Sequence, residues 1–211
     1  MISPKKISPK SAGLLCLFCI SSSVVLATLF YNQDKTIVLF LNHLRNPTRD
    51  LFWLTVTNSA GIIAYGTSFI ALIVSLFTKE KELKYKCMAI VAAAIFSATT
   101  ATALKFIIQK PRPVRMLTTI HVLGPAGGWS YPSGHTSDAF FLAMALALTL
   151  PQYKKTVFLF YIWALLVGFS RIYLGAHYLS DVLGGIGVGS AMSLLAYRLI
   201  ESVAKKHHAL L

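Results

Sequence analysis

Six apolar segments of spanning length constrain this chain more than any other feature of its sequence. They lie at 12–31, 51–77, 86–108, 136–152, 155–174 and 182–200. An apolar segment of roughly 20 residues is long enough to cross the hydrocarbon core of a bilayer as a helix. The pattern therefore predicts an all-α integral membrane protein, a six-transmembrane-helix bundle that forms one domain over residues 1–211.

The first apolar segment has an alternative interpretation as a cleaved secretory signal, because Lys5, Lys6 and Lys10 precede it. A signal peptide has a shorter apolar region and a cleavage site of small residues. No such site stands out before Tyr31. We expect a helix that is retained.

The net charge of +13 raises the question of a nucleic-acid partner. Nucleic-acid binders carry their basic residues as a patch or stripe on a soluble face. Here the basic residues lie between long apolar runs, in a chain that is 55% hydrophobic and 13% charged. The sequence predicts a bilayer as the partner and argues against nucleic acid.

The basic residues also predict the orientation of the helices. Six spans put every second connecting segment on the same side of the membrane as the two termini. That side holds twelve of the 20 Lys and Arg residues, and the other side holds eight, five of which cluster around the polar stretches described below. The positive-inside rule makes the richer side cytoplasmic. We expect a multi-pass membrane protein with both termini in the cytoplasm.

The stretch 34–50 is too short and too polar to span, yet Ile37, Leu41 and Leu44 follow a helical spacing. One interpretation is a short interfacial helix after helix 1. The alternative is a plain connecting loop, and the periodicity alone does not separate the two.

Three stretches rich in polar residues occur in this otherwise apolar chain, at 105–113, 132–135 and 170–181. Ionisable residues are costly in a membrane and usually mark a function. In the predicted topology all three stretches lie at helix ends on the outer face. The sequence therefore predicts one anion site on the outer face of the membrane.

Three cations in these stretches, Lys105, Arg112 and Arg171, suit a phosphoryl group, whose transition state spreads negative charge over its oxygens. Ser133 and Gly134 precede a helix, and the N–H groups at a helix start bind phosphate. For Lys110 and Arg115 we prefer a role at the lipid headgroups, with side chains that extend to the interface.

Two histidines supply the reactive groups of this hypothesis. His177 and Asp181 are four residues apart, so a helix that begins near Ala176 would place them on one face. The carboxylate would then orient His177 as the nucleophile, with His135 as the acid and later the base. The cations Lys105, Arg112 and Arg171 would repel a divalent metal, so we expect no metal and no cofactor.

Three further features carry less information. Gly184, Gly185, Gly187 and Gly189 imitate a dinucleotide loop, but they lie in an apolar helix with no preceding strand, which favours small-residue helix packing. Asp138 could cap the fourth helix or touch the site. The stretch 124–129 is a flexible approach to the second motif, and a lid is one interpretation of it.

The three motifs together resemble the signature of the type 2 phosphatidic acid phosphatase superfamily. That signature has a lysine followed after six residues by Arg-Pro, then Pro-Ser-Gly-His, then Ser-Arg, five residues, His, three residues and Asp, and every fixed position is present here in that order. The resemblance implies a metal-independent lipid phosphatase of the six-helix bacterial branch, in a bacterial inner membrane and with its site facing the periplasm. It implies a phosphohistidine on His177, oriented by Asp181, with His135 as acid and base. The residues that would hold the phosphate are Lys105, Arg112, Ser133, Gly134 and Arg171.

The resemblance leaves the lipid open among phosphatidate, phosphatidylglycerophosphate, undecaprenyl diphosphate and the phosphates of lipid A. Two other functions share part of this pattern. A vanadium-type haloperoxidase has a similar anion site, but the known enzymes of that class are soluble. An anionic-lipid transporter or binding protein would use the cations, but it would not need the histidines. The sequence says nothing of the oligomeric state.

Overall fold

A computed structural model describes residues 9–124 and 126–209 of the chain, and within these ranges every regular element is a helix. Eight α-helices and one 3₁₀ turn follow in order: α1 (Pro9–Leu29), the 3₁₀ turn (Tyr31–Gln33), α2 (Asp34–His43), α3 (Pro47–Phe77), α4 (Lys81–Ile108), α5 (Pro113–Met116), α6 (Gly134–Thr149), α7 (Lys154–Tyr173) and α8 (Leu179–Ala209). The all-α prediction is confirmed.

The six predicted segments coincide with α1, α3, α4, α6, α7 and α8. Four stretches within the described residues are long and apolar enough to cross a membrane: Pro47–Phe77, Lys81–Met116, Lys154–Tyr173 and Leu179–Lys206. A fifth is formed if Gly13–Leu29 and Tyr31–His43, which are bent by 47°, count as one span. Helix α6 has 16 residues and is not among these stretches. The count of six spans stays a prediction.

The stretch after α1 is helical, so the plain-loop alternative is wrong for Asp34–His43. Three residues of α2 at a spacing of four, Asp34, Val38 and Asn42, are buried. This spacing places them on one face of the helix, and Val38 belongs to a small core that includes Ile172 of α7. The position of α2 at a membrane interface stays a prediction.

Helix α3 begins at a strong local start signal. The side chain of Asn46 accepts a hydrogen bond from the main-chain N–H of Arg49, and Pro47 occupies the first turn. Asparagine is a favoured cap residue, and proline fits the first turn, where its missing N–H is not needed. The chain therefore leaves α2 and enters α3 after only three residues, 44–46.

Helix α8 lies against α1, α4 and α6. Glycine permits the close approach to α6: a Cβ on Gly185 would lie 2.8 Å from the main-chain oxygen of Ser133, and one on Gly189 would lie 2.5 Å from that of Ser137. Real Cβ atoms do not come so near. The small-residue packing predicted for this glycine series is confirmed, and it brings α8 against the start of α6.

Candidate active site

The structure brings the second and third motifs into direct contact. The main-chain N–H of Ser133, which precedes α6, donates to the main-chain oxygen of Asp181 in the first turn of α8, at 2.9 Å. The first motif joins them, because Arg112 Nη1 lies 3.2 Å from His177 Nε2. Segments that are far apart in the sequence therefore meet at one end of the bundle.

His177 lies between a carboxylate and a guanidinium. Its Nδ1 is 3.4 Å from Asp181 Oδ2, and its Nε2 faces Arg112. Asp181 Oδ2 also accepts a hydrogen bond from the hydroxyl of Ser130 and one of 2.9 Å from the main-chain N–H of Tyr178. Both His177 and Asp181 are fully enclosed by protein. The carboxylate of Asp181 thus faces Nδ1 of His177, and Nε2 faces the guanidinium of Arg112.

The predicted start of the last helix near Ala176 is wrong. Gly175 has a φ of +70°, the left-handed conformation that commonly follows a helix, and α8 begins only at Leu179. His177 therefore lies in the turn and not on the helix. The turn is held by the main-chain N–H groups of Ala176 and His177, which both donate to the oxygen of Arg171 at 3.1 Å. The contact between His177 and Asp181 arises from this turn rather than from a shared helical face.

Arg112 is held mainly by main-chain oxygens. Besides its contact with His177, its Nη1 donates to the oxygen of Ala176 at 3.1 Å and its Nε to that of Gly128 at 3.4 Å. Helix α4 ends at Ile108, before Pro111, and Arg112 precedes the short helix α5. The two prolines around Arg112 restrict the backbone there. The arginine is therefore fixed in direction before any ligand binds.

The other two predicted cations are tied to different helices. Lys105 Nζ donates to the main-chain oxygens of Trp129 at 3.1 Å and Pro132 at 2.7 Å, so it holds the segment that leads into α6. Arg171 is 1% exposed, and its Nη1 donates to Thr57 Oγ1 of α3 at 2.7 Å. Each cation is thus anchored by at least one neutral oxygen.

Ser133 occupies the position before α6 but makes no side-chain cap to the helix. Its hydroxyl oxygen instead accepts a hydrogen bond from Thr136 Oγ1 at 2.9 Å. The hydroxyl proton can then be donated elsewhere. A Cβ on Gly134 would meet nothing within 4 Å, so there is open space over the backbone at the helix start. This is the arrangement expected of a phosphate-binding helix terminus.

Both imidazoles are kept neutral by their surroundings. Burial lowers the pKa of His177, which lies in the turn between two spans, to about 3, and the nearby guanidinium groups of Arg171 and Arg112 oppose its protonation while Asp181 favours it. Burial also lowers the pKa of His135 to about 4, with Arg171, Arg112 and Lys105 adding to the effect. The two histidines therefore sense the same guanidinium groups. The imidazole of His135 makes no hydrogen bond with the part of the chain that the structure describes.

The preferred headgroup role for Lys110 is wrong. Its side chain is only 15% exposed, and Nζ lies 2.9 Å from both Asp34 Oδ2 and Asp181 Oδ1. A lysine extends to the headgroups when it has no buried acidic partner. Lys110 has two such partners, Asp34 and Asp181. Arg115 remains outside this network, with its guanidinium 5.9 Å from the ring centre of Trp129.

Sequence reasoning missed four residues that contact the site: Ser130, Asp34, Ser180 and Thr57. A signal existed for Asp34, since the chain has only seven acidic residues and an acid beside an apolar segment is costly unless it is paired. Nothing in the pattern distinguished the hydroxyl residues from others like them. Asp138 accepts a hydrogen bond of 2.7 Å from the hydroxyl of Tyr65 on α3, and it does not contact Lys105 directly.

Within the described residues, no group of three or more His, Cys, Asp or Glu side chains is arranged to hold a metal ion. The expectation of metal-independent chemistry rests on the charges of the site and stays a prediction.

Comparison with known proteins gives a consistent result. The PAP2 superfamily model matches residues 86–204. Lipid A 1-phosphatase of Rhizobium johnstonii is 28% identical over 193 residues, which cover 85% of this chain and 78% of that protein. Undecaprenyl-diphosphatase BcrC of Bacillus subtilis is 32% identical over 162 residues, covering 76% and 79%. The crystal structure of Aquifex aeolicus LpxE superposes with a TM-score of 0.66 at 24% identity, over 79% of this chain and 95% of that one.

Proposed function

The chain belongs to the PAP2 superfamily, and from this membership and the geometry of the site we propose that it is a metal-independent membrane phosphatase of lipid phosphomonoesters or diphosphates. The relatives reported above carry the names of lipid phosphatases. The observation that supports the proposal most is the orientation of His177, with one ring nitrogen toward Asp181 and the other toward Arg112.

In the first step, His177 Nε2 attacks phosphorus and forms an N–P bond while the bond from phosphorus to the lipid oxygen breaks. The Nδ1–H group of His177 donates a hydrogen bond to Asp181. The carboxylate stabilises the positive charge that the ring acquires. A bound phosphate offsets the cations that lower the pKa of His135, and the protonated His135 then gives its proton to the departing lipid oxygen or phosphate. The products of this step are the free lipid leaving group and a phosphohistidine.

In the second step, a water molecule attacks phosphorus and gives its proton to His135. The N–P bond breaks, its electron pair returns to His177, and inorganic phosphate leaves. Lys105, Arg112 and Arg171 stabilise the phosphate oxygens in both steps, together with Ser133 and the N–H groups near Gly134. The site residues return to their starting protonation states, so the cycle closes without a metal or a cofactor.

The membrane setting of this proposal is a bacterial inner membrane. The protein would be one domain with six spans, both termini in the cytoplasm, α2 at the outer interface and the site open to the periplasm. A lipid phosphate at the headgroup level would then reach the cations while its chains stay in hydrocarbon. The basic residues on the side of the termini support this orientation.

The test is a phosphate-release assay on purified protein in detergent micelles with a chelator present. The substrates are phosphatidate, phosphatidylglycerophosphate, undecaprenyl diphosphate and lipid A. We expect release from at least one of them, a loss of at least about 1,000-fold in His177→Ala, and full activity in the matched control His43→Ala, which removes an exposed histidine. Full activity in His177→Ala would overturn the mechanism.

A labelling experiment tests the intermediate directly. With ³²P in the lipid phosphate, rapid quenching should trap an acid-labile, alkali-stable label on the wild-type protein and none on His177→Ala. The His135→Ala protein should hold the label longer, because it lacks the base for hydrolysis. If the protein carried lipid between leaflets at the wild-type rate in a His135→Ala, His177→Ala double variant and released no phosphate, it would be a transporter.

A further inference from the structure

Lys110 is a cation that the reaction above does not use, yet it lies deep in the site. Its Nζ contacts Asp34 Oδ2 and Asp181 Oδ1, each at 2.9 Å, and donates to Ser180 Oγ at 2.6 Å. The ring centre of Tyr178 lies 4.5 Å from the same nitrogen, and that of Tyr31 lies 5.3 Å from it. The ammonium group is therefore enclosed by two carboxylates, a hydroxyl and two aromatic faces.

The two carboxylates that meet Lys110 are themselves shielded from solvent. The side chains of Asp34 and Asp181 are 7% and 0% exposed. Two buried acids that face the same small region repel each other unless a cation or a proton separates them. Lys110 is the cation that separates them, and the cost of removing one member of a buried ion pair is large.

Asp34 also fixes the start of α8. Its Oδ1 accepts a hydrogen bond of 2.9 Å from the main-chain N–H of Ser180, and its Oδ2 accepts one from the hydroxyl of the same residue. Ser180 directly precedes Asp181. An acid of α2, 146 residues earlier in the chain, thus holds the helix turn that carries the carboxylate facing His177.

The two oxygens of Asp181 have separate partners. Oδ1 contacts Lys110, while Oδ2 contacts His177 Nδ1, the hydroxyl of Ser130 and the N–H of Tyr178. A carboxylate held at both oxygens cannot rotate about its last bond without losing a charged contact. Lys110 therefore directs Oδ2 toward the imidazole and also withdraws part of the negative charge that His177 would sense.

We propose that Lys110 and Asp34 are positioning residues for the reaction, acting on His177 through Asp181. Lys110 orients Asp181 and separates its charge from that of Asp34, and Asp34 keeps Lys110 in place and anchors the first turn of α8. The inference rests on the proposed function of the site. It makes α2, a helix outside the three motifs, part of the active site's support.

The proposal predicts a pH dependence. Lys110 is one of the groups that lower the pKa of Asp181, so its removal raises that pKa and favours a protonated Asp181, which cannot stabilise the positive ring of His177. The rate of such a variant would rise with pH until Asp181 loses its proton. The titratable and charged groups that face Asp181 from the elements around it are Asp34, Lys105, Lys110, Arg112, Tyr131, His177 and Tyr178.

The experiment compares Lys110→Met, Lys110→Arg, Asp34→Asn and the double variant Asp34→Asn, Lys110→Met with the wild type. The measurements are kcat and KM for phosphate release between pH 5 and pH 9, with inorganic phosphate as a competitive inhibitor. The matched control is Lys35→Met, which removes an exposed lysine next to Asp34. Thermal unfolding in detergent reports whether each variant is folded.

For Lys110→Met we expect kcat to fall about 100-fold at neutral pH, with a smaller loss at high pH and an inhibition constant for phosphate within about threefold of wild type. Lys110→Arg should keep most of the activity because it keeps the charge. The double variant should be about tenfold more active than Lys110→Met, because it removes the competing acid as well as the cation. Lys35→Met should match the wild type.

The possible failures are distinguishable. A wild-type protein that releases no phosphate from any lipid in the panel would overturn the proposed function itself. An active wild type with a fully active Lys110→Met would overturn only the positioning role. A double variant no more active than Lys110→Met, with no change in the pH profile, would show that Lys110 merely supports the fold and would also overturn it.

Discussion

Two of the four lysines of helix α4, one near each end, have opposite surroundings. Lys86 pairs with Glu82 at 2.6 Å, four residues away on the same helix, and their side chains are 31% and 73% exposed. Lys105, some 28 Å further along at the helical rise per residue, donates instead to two main-chain oxygens of the segment before α6. The same residue type on one helix thus forms an exposed pair at one end and part of a buried site at the other.

The difference shows what decides the worth of a charge in this protein. An exposed pair within a helix contributes a few tenths of a kcal/mol, since water solvates both partners whether or not they meet. A cation that is surrounded by protein oxygens and directed at a ligand acts where water does not screen it. The residue type alone therefore says little about how much a lysine contributes to stability or activity. The groups around its ammonium decide that contribution.

Among the tests of this contrast, the largest expected effect is the difference in activity between substitutions at Lys105 and at Lys86. Lys105→Met should lower kcat/KM for phosphate release by about 100- to 1,000-fold, as the loss of one preorganised charge does in other enzymes. Lys86→Met should leave kcat/KM within about twofold and change the free energy of unfolding by less than about 0.5 kcal/mol. Equal effects of the two substitutions on activity would contradict the contrast between the two ends of α4.

A second test uses pH. His135 must be protonated to act as the acid, so the rate falls as pH rises through its pKa, which burial and the cations hold near 4 in the free protein. A bound phosphate offsets those cations and raises this pKa. The basic limb of kcat should therefore lie at least about one pH unit above that of kcat/KM, since the former reports the complex and the latter the free enzyme.

The same profile distinguishes the two lysines. Lys105→Met removes one of the charges that lower the pKa of His135, so the basic limb of kcat/KM should move to higher pH, while Lys86→Met should leave it in place. His177 must be neutral to attack, and its pKa of about 3 keeps it neutral throughout the neutral range. Coincident limbs of kcat and kcat/KM in the wild type would count against His135 as the acid.

The smallest expected effect concerns packing rather than charge. Gly185→Ala places a Cβ 2.8 Å from the main-chain oxygen of Ser133 and 2.9 Å from Thr136 Cβ. We expect a loss of about 1–3 kcal/mol of stability, measured by unfolding in detergent. Gly66→Ala in α3 is the control, since its Cβ would meet nothing within 4 Å, and it should be neutral or stabilising by about 0.5–1 kcal/mol. An unchanged Gly185→Ala protein would mean that α8 moves easily against α6.

The helices were predictable because apolar length is a local property of the sequence. Each predicted segment overlaps a helix of the structure, with ends that differ by several residues. The start of α8 was wrong because a single backbone angle, φ at Gly175, places His177 in a turn, and spacing does not encode that angle. The hydropathy pattern alone did not decide between helix and loop at α2.

The meeting of the three motifs was predictable, because their residue types suit a phosphate site, whereas their distant or neutral partners were not. The histidines, Asp181 and the three cations follow from the chemistry of phosphate. Lys110 and Asp34 lie 76 residues apart, and nothing in the sequence pattern indicates that they meet. Ser130 and Thr57 are neutral hydroxyl residues like many others, and only the folded chain reveals their contacts with Asp181 and Arg171.

The hydrogen bond from the main-chain N–H of Ser133 to the main-chain oxygen of Asp181 has an evolutionary consequence. It ties the segments that carry the two imidazoles through atoms that every substitution except proline retains. Substitutions around the site can therefore accumulate while the segments that carry His135 and His177 stay linked. Under the proposed function, a scaffold linked in this way could change its choice of lipid during divergence and keep the chemistry at the phosphate.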